Sequence, residues 1–140
     1  MRPFAVNGDV WGVVRVPAGD PRLIDRTGDP KLAVTDSVGL MVYVRDDLRP
    51  PLLDKVMLHE VAHAITVSWG LLPRLRRDAM RGDLTGVEEW GAQLVENHAM
   101  EAVRAASVAL GRPVCVRGLC DVLADEPTDV LGLRRDLRET

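Results

Sequence analysis

The sequence predicts an α+β fold, a small antiparallel sheet packed on one buried helix and on a second long helix. Two contrasts predict it. Up to residue 45 the chain is a series of short aliphatic and β-branched segments separated by turn residues. After Arg49-Pro50-Pro51 come two long stretches, the first free of Gly and Pro and the second free of Pro. At 140 residues the chain fits one domain, 1–140, large enough to bury a core.

Strands are expected at Trp11–Val16, Arg22–Asp25, Leu32–Thr35 and Leu40–Arg45. They are parted by Pro17-Ala18-Gly19-Asp20-Pro21, Thr27-Gly28-Asp29-Pro30 and Asp36-Ser37-Val38-Gly39, all turn compositions. Short strands joined by short turns favour an antiparallel sheet. The last strand runs straight into the helical region, and as an edge strand it could pair with an extended peptide.

The first helix should run from Leu52 to Trp69, with proline ahead of its first turn, Gly70 just past its end and Pro73 beyond. It is apolar on nearly every side and should be buried. Leu72 to Asp83 is basic and reads as a connecting or partly helical excursion. A second helix is expected from Thr85 to Leu110, stopped by Gly111 and Pro113. Thr85-Gly86-Val87-Glu88 has the form of a capping box at its start. The segment 112–140 holds a short apolar piece, acidic residues from Asp121 to Glu126, and a short terminal helix at Val130–Leu137.

Charge and composition narrow the partners. Eighteen basic against 21 acidic residues give a net charge of −3, and no basic stretch makes a nucleic-acid footprint. No uncharged run approaches a membrane span, and the N-terminus has no apolar stretch behind its charge, so a cytoplasmic protein is expected. Cys115 and Cys120, the two cysteines, lack the second pair of a zinc site and should be free thiols in a reducing compartment.

The chemistry is concentrated in His59-Glu60-Val61-Ala62-His63, an H-E-x-x-H motif inside the first helix. Residues four apart project from one helix face, so the two imidazoles can converge on one metal ion. Glu60, next in sequence, can reach a water on that ion. Zinc is the expected cofactor, because it lowers the pKa of a bound water and polarises a carbonyl. Glu60 would act as general base and later pass the proton to the leaving amine. A carboxylate and two of the chain's three histidines would be costly in an apolar helix without such a partner.

Catalytic zinc normally has three protein ligands. The extended motif would need glycine at Thr66 and histidine at Trp69, so the third ligand must come from elsewhere. Glu88, Glu89, Glu96 and His98 are the candidates, all on the second helix. If Glu88 closes the capping box it is turned away, which favours Glu89, the head of a polar line with Gln93, Glu96 and Met100. Tyr43, the single tyrosine, is a further candidate for oxyanion stabilisation from the strand beside the metal.

A strand, then Leu58-His59-Glu60-Val61-Ala62-His63-Ala64, then 24 residues, then Glu89-Trp90-Gly91-Ala92 resembles the zincin-like metallopeptidases of the ImmA/IrrE type and their phage and prophage relatives. The resemblance covers roughly residues 40 to 105; Gln93 and Leu94 stand where those proteins usually have Asn and Phe. It implies a minimal zincin-like fold, the E-x-x-A glutamate, here Glu89, as third ligand, and a protein or peptide substrate such as a repressor. The alternative is a zincin-fold module that binds metal or a partner without turnover. A general base at Glu60, which such a module does not need, favours catalysis.

Overall fold

The computed structural model describes residues 1–115. The elements follow in the order β1 (Phe4–Val6), β2 (Asp9–Val16), β3 (Ala33–Asp36), β4 (Met41–Arg45), α1 (Leu52–Ser68), α2 (Leu72–Met80) and α3 (Leu84–Leu110). The fold is α+β, as the alternation of short and long segments predicts.

β1 and β2 form a tight hairpin through Asn7-Gly8, whose φ values of 47° and 83° suit the turn that matches strand twist. β1 falls inside the strand region expected from about residue 4 to 45 but is not one of the individual strands named, although Asn-Gly between Phe4-Ala5-Val6 and Val10-Trp11 is the strongest local hairpin signal. The sheet order is β1-β2-β4-β3, with β1 to β2 and β4 to β3 antiparallel but β2 to β4 parallel. The sheet is therefore mixed rather than antiparallel. The chain crosses from β2 to the far edge, lays down β3, and returns to place β4 between the two.

That crossing corrects two expectations. Arg22–Asp25 is no strand: Pro21–Leu23 is a single 3-10 turn, and Asp20 caps it by accepting from the Arg22 N–H at 2.9 Å. β4 is an interior strand, so the free edge beside the helices belongs to β3.

Alternate residues of the sheet face the helices, as a pleat demands. Phe4, Val6, Trp11, Ala33, Val42 and Val44 pack with Leu53, Met57, Val61, Ala64 and Ile65 of α1 and Ala105, Ala106 and Ala109 of α3. Trp11 Nε1 donates to Ser68 Oγ at 2.9 Å, tying β2 to the end of α1.

α1 spans Leu52–Ser68, one residue shorter than the sequence suggests. Leu72–Met80, within the stretch read as connecting or partly helical, is a regular nine-residue helix with proline in its first turn. α3 starts at Leu84, and its cap is Asp83, whose Oδ1 accepts from the Gly86 N–H at 2.8 Å. The capping box on Thr85 and Glu88 does not form, because Asp83 occupies the cap position first.

α1 and α3 run antiparallel, and two contacts set their register. Near one end Trp69 Nε1 donates to Glu101 Oε2 at 3.1 Å; at the other Arg112 grips Asp54 with two hydrogen bonds of 2.6 and 2.7 Å. Asp54 is fully buried and also accepts from the Cys115 N–H at 2.7 Å. Among the described residues no helix is long and apolar enough to cross a membrane. Cys115 is exposed; Cys120, Asp121–Glu126 and Val130–Leu137 lie outside the described residues.

Candidate metal centre

α1 presents different chemistry on its two sides. Met57, Val61, Ala64 and Ile65 are buried in the core, while His59 and His63, one turn apart, are exposed on the side that opens to a cleft of about 1080 Å³. The expectation that a buried helix would bury its polar residues holds for Glu60 and not for the two histidines. Glu60 is 6% exposed, between the histidine face and the sheet.

The two imidazoles meet at their outer nitrogens, with Nε2 to Nε2 at 3.2 Å and the rings nearly perpendicular. Two nitrogens each about 2.0–2.1 Å from a tetrahedral zinc stand roughly 3.3 Å apart, so the spacing fits one ion bound by both. The same spacing also suits an N–H···N hydrogen bond between neutral rings.

Glu60 is held by a partner that sequence reasoning missed. The Thr35 hydroxyl on β3 donates to Glu60 Oε2 at 2.5 Å, tying the carboxylate to the edge strand. Nothing local marks Thr35, since threonine is ordinary in a strand; only the packing of β3 on α1 reveals it.

Glu89 is not brought to the histidines. It is exposed on α3 and is absent from the cleft wall. It precedes Glu101, the residue opposite Trp69, by 12 positions of α3, an axial offset of roughly 18 Å directed away from His63. Glu88 and Glu96 are likewise exposed on α3, and His98 is engaged with Glu101 Oε2 at 3.0 Å, its ring tilted against that of Trp69 with centroids 5.4 Å apart. Among the described residues no third His, Cys, Asp or Glu completes a ligand cluster with His59 and His63.

Tyr43 lines the cleft but belongs to the other side of the sheet. Its neighbours Val42 and Val44 are fully buried against the helices, so its ring projects away from α1. There the Arg22 guanidinium lies 5.1 Å from the ring centroid, itself forked onto Asp20. That pairing holds the Asp20 carboxyl down at about 2, through the Arg22 side chain first. A reach from Tyr43 to an oxyanion beside His59 would have to pass the edge of β3.

The arrangement joins two closely approached imidazoles, a buried oriented carboxylate and an unpaired strand edge along one cleft. No protein-family model, curated protein or solved structure matches this chain.

Proposed function

We propose that the chain is a zinc-dependent hydrolase of peptide bonds in a protein substrate. The observation that carries the reading is the 3.2 Å approach of His59 Nε2 and His63 Nε2, with the buried Glu60 between them in sequence. His59 and His63 would hold the ion; bound there, zinc would acidify a water and polarise a carbonyl. Glu60 accepts the proton from the attacking water on the carboxylate oxygen that Thr35 leaves free, and delivers it to the leaving amine.

The open edge of β3 supports a peptide substrate. Its backbone makes no hydrogen bond outside the β4 ladder among the described residues, and its residues 33–36 all line the cleft. An extended chain can add there as a further strand, held mainly by main-chain pairing. A repressor as substrate comes from the ImmA/IrrE resemblance alone, and a cytoplasmic location from the sequence reading and that resemblance together. Glu89 stands apart from the two histidines among the described residues, so His59 and His63 are the protein's own donors in this reading.

Metal analysis of the purified chain tests the reading directly. One zinc per chain after reconstitution, lost in His59→Ala, is expected; a wild-type protein that takes up no zinc would end it. Comparing proteomes of cells expressing wild type and Glu60→Gln then finds the substrate.

A further inference from the structure

We infer that the cleft selects peptides carrying acidic side chains on both sides of the bond held over the histidines. The inference rests on the peptide-hydrolase reading for the position of that bond, and on the charges of the cleft for everything else. The chain's net charge is −3, yet basic side chains outnumber acidic ones along the cleft, and both of its lysines stand there.

The acidic groups are already engaged. Asp25 pairs with Lys31 and holds the Thr27 hydroxyl; Asp36 accepts from the Val38 and Gly39 N–H groups; Glu60 accepts from Thr35. Of the basic groups, Arg22 is committed to Asp20 and Lys31 to Asp25. Arg26, Lys55 and Arg76 are exposed, with no carboxylate partner among the described residues. Three unpaired cations, Arg26 on the loop before β3, Lys55 on α1 and Arg76 on α2, therefore line the cleft.

Their placement gives the register. Lys55 lies one helical turn before His59 on α1, about 6 Å along the axis, which spans about two residues of an extended strand. Arg76 reaches the cleft from α2, beyond His63 and past the C-terminal end of α1. A peptide added to β3 thus meets Lys55 on one side of the histidines and Arg76 on the other. The edge strand favours a peptide over a nucleic acid, because it offers main-chain pairing and no row of aromatic faces for bases.

Fluorescence anisotropy tests this without turnover, using the full chain as Glu60→Gln and three labelled decapeptides that differ only in flanking Glu, Gln or Lys. The Glu peptide should bind at least about tenfold tighter than the Gln peptide and lose that advantage in high salt. Lys55→Glu and Arg76→Glu should each cut the preference by about fivefold, and Arg104→Glu, away from the cleft, should leave it intact. Equal binding of the Glu and Gln peptides overturns the inference. So does a single-stranded oligonucleotide that binds tighter than the Glu peptide and displaces it. Charge-selective binding by a protein that never turns over supports the inference while ending the hydrolase reading; charge-blind cleavage does the reverse.

Discussion

Thr35 on β3 and Glu60 on α1 share a hydrogen bond of 2.5 Å that fixes the only buried carboxylate of the H-E-x-x-H face to the free edge of the sheet. The strand that would receive a peptide and the group that would receive its proton are thereby held as one unit. Thr35→Val keeps the shape and removes the donor. We expect turnover to fall about tenfold with little change in KM, and stability to drop by about 1–2 kcal/mol. Thr35→Ser should recover most of both, and steady-state kinetics with a thermal melt on each variant would show it.

The proposed zinc would rest on α1 alone, because α3 brings no donor beside His59 and His63 among the described residues. His63→Ala should weaken zinc binding more than about a hundredfold, because one of two imidazoles is lost. Glu89→Ala should leave zinc affinity unchanged, since that carboxylate lies far along α3. Competition with a zinc chelator measures both, and an equal loss in the two variants would show that α3 moves to the ion.

The clamp between Asp54 and Arg112 makes stability depend on acid. The Arg112 guanidinium, and after it the Cys115 N–H, hold the Asp54 carboxyl below the usual carboxylate range. Its contribution is complete above the unfolded-state value near 4 and fades as pH falls through the lower folded-state value. Asp54→Asn should therefore be less stable than wild type at pH 7, and the gap should narrow on acidification below about pH 4. Urea midpoints across pH 2.5–7 check the sign. Arg112→Ala, leaving a buried carboxylate with one backbone donor, should cost about 2–3 kcal/mol at pH 7.

The first hairpin depends on its turn. Gly8 has φ +83° and an added Cβ would touch nothing, so the penalty in Gly8→Ala is conformational. It should cost about 1 kcal/mol, read from the shift in a denaturation midpoint.

The parts of this molecule legible in its sequence are those decided locally. α1 could be read because 17 consecutive helical residues contain no breaker, and its motif because four-residue spacing is itself a geometry. Glu89 could not be placed, since its distance from His63 depends on the α1 and α3 register, fixed by Trp69 with Glu101 and Asp54 with Arg112. Local spacing within α3 carries no trace of that offset. The same holds for β4: its hydrophobic alternation suits an edge or an interior strand equally, and only the crossing of the chain before β3 decides. Thr35 was invisible for the same reason, its partner lying 25 residues away. Lys55 and Arg76, 21 positions apart, carry no local mark of a shared cleft, and only the fold brings them to it.

α3 extends 27 residues, about 40 Å, while its fully buried residues are Ala105, Ala106 and Ala109, all in the last third. With α2, which fully buries none, its first half forms a handle tied to the body by Leu94 at the rim of the core and by polar contacts such as Trp90 Nε1 on the Leu71 carbonyl. Amide protons there should exchange with solvent well before those of α1, so the molecule opens from its handle inward and leaves the two imidazoles standing longest.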